Sequence, residues 1–203
     1  MTEDPGTPQR QVRAEFTDEA VRVYQAYSPE IAEPALAAGT FVSPFRPGRM
    51  TWIKPSFLWM MYRSGWGSKP GQERVLAVDI TREGLEWALE HAALSSFERG
   101  TYGSHEEWAE RKKRSPVRVQ WDPERSLTQT LAPLPYRSLQ VGLSGEAARR
   151  YVDEWILGIT DVTDVAHQIH DLVTVGDTAA ASALLPSEQP YEVPEHIRCH
   201  VGM

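Results

Sequence analysis

Apolar and polar residues alternate in several short stretches of this chain and recur at helical spacing in others. Val12, Ala14 and Phe16 alternate with polar neighbours and predict a short strand. Residues 21–26 (VRVYQA) are rich in β-formers and predict a second. Ser28 and Pro29 supply an N-cap and a first-turn proline, and Gly39 a stop. Ile31, Ala32, Ala35 and Leu36 lie between them at helical spacing, with Pro34 predicting a kink or a late start. Residues 50–54 (MTWIK) read as a strand that Pro55 ends, opening a helix through Ser64. Residues 64–71 (SGWGSKPG) read as a mobile glycine-rich loop, lacking both Walker and GxGxxG spacing. Residues 75–80 (VLAVDI) are apolar nearly throughout and predict a central strand.

Thr81 is placed to cap the next helix, whose apolar face is Leu85, Ala88, Leu89 and Ala92. Ser104 and Glu107 form a capping-box pattern, and Glu107–Arg111 and Glu110–Arg114 are spaced to pair along the helix behind it. Residues 117–121 (VRVQW) alternate as a strand ended by Asp122-Pro123, and residues 137–143 (RSLQVGL) predict another. Ser144 then caps a helix with Ala148, Tyr151, Val152, Trp155 and Ile159 on its apolar face. Thr160 or Asp161 starts a last long helix, with Val165, Ile169, Leu172 and Val173 inward and Gly176 at its end. This irregular interleaving predicts an α+β fold with a mixed, largely antiparallel sheet and flanking helices. One domain is expected over residues 11–185, after a disordered lead (1–10) and before a loosely structured, proline-rich tail (186–203).

Composition narrows the class. At 203 residues, 41% hydrophobic and 24% charged, the chain is an ordinary globular domain in size and balance. No apolar run approaches the roughly 18 residues of a membrane helix, so no membrane partner is expected. The first ten residues are acidic and polar, unlike a secretory signal. The single Cys199 excludes an internal disulfide and a Cys-pair zinc site, and a reducing cytoplasm is the expected compartment. A net charge of -7 argues against indiscriminate nucleic-acid binding while leaving room for a local basic cleft.

Such a cleft is suggested by residues 49–74. This window holds Trp52, Trp59, Trp66 and Tyr62 together with Arg49, Lys54, Arg63, Lys69 and Arg74, against a single acid, Glu73. Flat aromatic faces beside fixed positive charge suit a planar, anionic ligand such as a nucleotide or nucleic acid. A buried segment with snorkelling cations is the structural alternative. Of the other clusters, Asp164, His167, His170 and Asp171 share a helix whose polar face they fill, and no metal is assigned to them. The run 111–114 (RKKR) reads as a solvated helix end. No G-x-S-x-G elbow is present, and Cys199 lies near the terminus. Glu73, just before the central strand, and Glu124, just after the VRVQW strand, are the candidate carboxylates. Cations for phosphates, an aromatic for a base and a carboxylate opposite developing ribosyl charge would together serve cleavage of an N-glycosidic bond.

The strings VYQAYSPEIAEPALAAGTF, RMTWIKPSFLWMMYRSGWGSKPGQERVLAV, QWDPER and RSLQVGL followed by EWI resemble domain-of-unknown-function family 4291 over roughly residues 11–175. More distantly, the first string is similar to the opening strand and helix of the ADP-ribosyltransferase superfamily, and RMTWIKPS to a segment of its RNA 2′-phosphotransferase-like branch. VLAVDITREGLEWALEHA looks like the apolar strand, Asp and helix of those proteins. Gln25 or Tyr24 stands where that superfamily has His or Arg, and Trp52 or Lys54 where the phosphotransferases have a second His.

The resemblance implies an ADP-ribosyltransferase-like fold and a nucleotide-processing transferase using NAD or an ADP-ribosylated intermediate. Arg49 and Lys54 would hold the pyrophosphate or an acceptor phosphate, with Arg63 beside them. Trp52, Trp59 or Tyr24 would stack on nicotinamide or adenine. Glu124, with Glu73 in reserve, would support the ribosyl transition state, Ser56 would bond the nicotinamide ribose, and Gln25 would join the catalytic set. The acceptor would be a nucleic acid or a protein. A non-catalytic nucleotide or nucleic-acid binding module is the alternative, and a Trp/Arg protein interface a third reading.

Overall fold

A computed structural model describes residues 7–203. The order of elements is β1 (Arg13–Ala14), β2 (Ala20–Tyr27), α1 (Pro29–Ala38), β3 (Thr51–Ile53), α2 (Phe57–Ser64), β4 (Arg74–Thr81), α3 (Arg82–Glu90) and β5 (Ala92–Leu94). There follow α4 (His105–Arg114), β6 (Val117–Arg125), β7 (Pro133–Leu143), α5 (Glu146–Arg150), a π-helical turn (Tyr151–Trp155), β8 (Ile156–Asp161), α6 (Thr163–Thr174), α7 (Thr178–Ala183), β9 (Gln189–Pro190) and α8 (Glu195–Arg198). The fold is mixed α+β, with antiparallel pairing dominant. One sheet runs β2-β4-β8 and is antiparallel throughout; another runs β3-β7-β6-β5, parallel only between β5 and β6.

The two sheets meet at one point. Tyr24 of β2 and Lys54, just past β3, exchange backbone hydrogen bonds of 2.7 and 3.3 Å. Beyond that bridge, side chains rather than backbone join β2 to β3. The Gln25 amide donates to Thr51 Oγ1 (2.7 Å), Tyr27 Oη (2.9 Å) and the Trp52 carbonyl (3.2 Å), and Gln25 Oε1 accepts from Tyr151 Oη (2.7 Å). This fully satisfied amide is buried and stitches the sheets together.

Helix α2 forms because Ser56 caps it, its Oγ accepting from Trp59 N–H, and it stops at Gly65, which takes a left-handed conformation. Thr81 caps α3 in the same way. Strand β4 is central in its sheet, with Val75, Leu76, Val78 and Ile80 inaccessible to solvent.

Several elements depart from the sequence expectation. Helix α1 runs unbroken through Pro34, where only one backbone bond is forfeited and Ala32 and Ala35 on either side are buried. Ala92 belongs to β5 and not to the face of α3. Strand β6 continues through Asp122-Pro123 to Arg125, with an irregularity between Pro123 and Arg125. β5 covers β6 only at residues 117–119, so Pro123 lies on a free edge, where a missing N–H costs no ladder bond. Ile159 does not extend the helix after Ser144; a π-helical turn ends it at Trp155, and residues 156–161 pair with β4. Gly158 disfavours a continued helix, the β-branched pair that follows favours a strand, and β4 would otherwise keep an open edge.

Arg111 donates to the carbonyls of Glu90 and Ala92 instead of pairing with Glu107. Lys112 lies 4.4 Å from the Trp108 ring centroid. The glycine-rich turn is held in place: Trp66 is buried and stacks on His170 at 5.2 Å. Of the lead, residues 1–6 lie outside the described residues, while Arg10 bonds Glu98 and the Gly202 carbonyl. The tail packs onto the domain rather than lying loose. β9 pairs with β1, and Tyr191, Val193, Ile197 and Val201 are buried, apolar residues spaced too widely in sequence to give a periodic signal.

Candidate functional site

Beside the Tyr24–Lys54 bridge, residues of both sheets line a cleft of about 880 Å³. That is near the upper end of the roughly 300–1,000 Å³ typical of small-molecule sites. β2, β3, α2, the segments around Arg46 and Gln72, and β6 and β7 all contribute to its walls.

The structure brings together six of the residues singled out in the sequence: Gln25, Arg49, Trp52, Lys54, Trp59 and Arg63 all line the cleft. Tyr24, Ser56 and Glu124 do not. Tyr24 is 1% exposed and packs edge-on against Phe57, with ring centroids 5.4 Å apart, so its ring has no face for a ligand. Ser56 Oγ donates to Glu124 Oε1 at 2.8 Å while capping α2, and the same oxygen accepts from Arg125 N–H at 2.7 Å. Glu124 is buried, and burial lifts its pKa, opposed by those bonds. Glu73 accepts from Gly71 N–H at 2.9 Å at the cleft's edge.

Lys54 is the unusual group. It is 5% exposed, forms no ion pair among the described residues, and its ammonium reaches only the Trp52 carbonyl, at 3.4 Å. The Trp59 ring lies 5.1 Å from its Nζ. Burial, reinforced by repulsion from Arg63 and opposed by the Asp122 carboxylate, pulls its pKa down to about 7. Beside it, the buried indole N–H of Trp59 has no hydrogen-bond partner among the described residues. The site thus offers an unpaired cation and an unpaired donor side by side. Trp52 forms another wall, its ring lying on the backbone of β7 at Gly142; a Cβ there would come within 3.0 Å of the ring and 2.8 Å of Met50 Sδ. Arg46, Arg49 and Arg63 are exposed around the opening.

Sequence reasoning missed Asp122, Gln120 and Gln140, which also line the cleft. The signal was present: with Val117, Val119 and Trp121 facing inward, alternation puts Gln120 and Asp122 on the opposite side of β6. Taking Asp122-Pro123 as the strand's end hid it.

The chain is a member of the family described as Domain of unknown function (DUF4291), whose model matches residues 11–191. No curated protein matches it. The more distant resemblance to ADP-ribosyltransferases finds no support in the match. Among the described residues, no helix is long and apolar enough to cross a membrane.

Proposed function

We propose that the cleft binds a nucleotide, with its phosphates at Lys54, Arg49 and Arg63 and a ring against Trp52 or Trp59. The observation that carries this reading is Lys54, a buried cation without a carboxylate partner in a tryptophan-lined cleft. An ammonium left unpaired in low dielectric is costly, and an anionic ligand offsets that cost where no protein group does. The unpartnered Trp59 N–H adds a donor for the same ligand.

Within this reading NAD is the first dinucleotide to test, and transfer of ADP-ribose to a nucleic acid or protein is the catalytic version. That version loses Glu124 as its transition-state carboxylate and Ser56 as its ribose contact, because Ser56 caps α2 and Glu124 is held by Ser56 and the Arg125 N–H. Gln25 is likewise committed to joining the sheets. The binding function is therefore favoured over the transferase. Calorimetric titration with NAD, ADP and a single-stranded RNA oligonucleotide is the test, together with incubation of labelled NAD with protein and RNA acceptors. Saturable binding of NAD or ADP that is lost in Lys54→Met is expected. Heat from none of the ligands, and label on no acceptor, would sink the proposal.

A further inference from the structure

We infer that Asp122 reads the ribose of the bound nucleotide, so that the cleft selects ribonucleotides over sugars lacking the 2′- and 3′-hydroxyls. The inference rests on the nucleotide reading above and adds the group that sets its sugar specificity.

Gln120 and Gln140 sit directly opposite each other on β6 and β7. Gln120 Nε2 donates to Asp122 Oδ1 at 2.9 Å, and Gln140 Nε2 donates to Oδ2. One amide on each oxygen fixes the plane of the carboxylate, and Asp122 forms no ion pair among the described residues. The clamp is built at the cleft and uses two side chains from two strands. An ionised carboxylate accepts about four hydrogen bonds, so each oxygen keeps acceptor capacity after its amide is counted. Two fixed acceptors side by side complement a pair of vicinal hydroxyls, the way acidic residues hold a ribose diol in other nucleotide sites.

Position selects the sugar over the base. Asp122 and Lys54 line the same cleft, and the Asp122 charge acts on the Lys54 ammonium. With a phosphate at Lys54, the nearest donors on a nucleotide are the hydroxyls of the adjoining sugar, whereas the base edge lies a whole ribose further away. The acceptors are also fixed before binding. A polar site organised around a hydroxyl discriminates strongly against an analogue lacking it, because its groups are then left without a partner.

The test compares ADP, 2′,3′-dideoxy-ADP, GDP and inorganic pyrophosphate on the wild-type chain and on Asp122→Asn, with thermal melts to confirm folding. Wild type is expected to bind ADP roughly tenfold to a hundredfold more tightly than the dideoxy analogue. Asp122→Asn is expected to lose most of that ratio, with pyrophosphate affinity held or slightly improved. Equal affinity of wild type for ADP and the dideoxy analogue overturns the inference without any variant and leaves the nucleotide reading standing. A preference for GDP that ignores the sugar and disappears in Asp122→Asn also overturns it, reassigning Asp122 to the guanine edge. Absence of binding by any nucleotide overturns the nucleotide reading and this inference with it.

Discussion

Lys54 and Glu124 are both buried, both ionisable and both near the start of α2, yet their surroundings are opposite. Glu124 receives hydrogen bonds from Ser56 and from the Arg125 backbone, and its pKa is lifted only against those favourable contacts. Lys54 has a single long contact to a carbonyl and an aromatic face, and lines the cleft. A buried charge with partners supplied by the fold is explained by the fold. One without partners, facing a cavity, is explained by what enters that cavity. The comparison moves the functional weight from the glutamate that the sequence nominated to the lysine that it placed among the ligand contacts.

Lys54→Met gives the largest expected effect. It keeps the apolar stem and removes the charge, so ADP affinity should fall at least a hundredfold while the melting temperature rises. The sign of the pH dependence follows from a lysine whose pKa is depressed on folding. Between about 7 and 10.5 the unfolded chain holds more protons at this site, so wild-type stability climbs with pH across that window. The burial cost is complete below pH 7. The gain in Lys54→Met should therefore be on the order of 3 kcal/mol at pH 6 and fade by pH 10. A variant that binds ADP as well as wild type would erase the contrast between the two residues.

Glu124→Ala tests the other half. It strands Ser56 Oγ and the Arg125 N–H, which should cost about 2 kcal/mol in denaturant unfolding. Nucleotide affinity should stay within about twofold of wild type, since Glu124 does not line the cleft. Glu124→Gln retains an acceptor for both donors and should be close to wild type in stability. Loss of turnover or binding in the Gln variant with an intact fold would return Glu124 to the ligand site.

How far the sequence reveals this contrast depends on what each residue needs. The segment from β2 to α3 is legible because its signals are local: a strand of β-formers, then Ser28 and Gly39, Pro55, and Thr81 at the helix ends. The aromatic and basic window is legible for the same reason, and six of its residues and neighbours meet in one cleft. The partnering of Glu124 is not local, for Ser56 lies 68 positions away in the chain. β8 is hidden because Tyr151, Trp155 and Ile159 keep a helical period across a break that the π-helical turn makes. The packed tail is hidden because Tyr191 and Ile197 fill gaps in a core built by distant elements.

Gly142→Ala probes the Trp52 wall of the cleft. A methyl group at this position would press on the Trp52 ring and on Met50 Sδ, both at or below 3.0 Å. Trp52 must tilt away from β7 into the cleft, because the strand backbone behind it is held on both sides by β3 and β6. Overpacking of this kind costs about 1–2 kcal/mol. ADP affinity should fall roughly five- to tenfold, an effect of displaced shape rather than lost charge, so the salt dependence of binding should match wild type. A changed salt dependence would show that the methyl group disturbs the cations instead.

Glu188→Gln gives the smallest effect and extends the rule for partnered charges to the tail. Glu188 Oε1 accepts from the Phe57 N–H at 2.7 Å, at the start of α2, and the Arg13 guanidinium donates to the Glu188 carbonyl. Burial, with the charges of Glu124 and Glu15 added and Arg13 opposing, pushes its pKa up to about 8. For an acid shifted upward, the folded chain holds the extra proton between about 4.5 and 8, so this group's stabilisation is complete below 4.5 and is lost as pH rises through 8. Because the residue keeps some solvent contact, the effect should be about 1 kcal/mol. Glutamine keeps the acceptor for Phe57 and never ionises. The variant should match wild type at pH 5 and exceed it at pH 9 in thermal melts, with no change in nucleotide affinity. Equal pH profiles for the two chains would place the carboxylate in water and remove the tail from the electrostatics of α2.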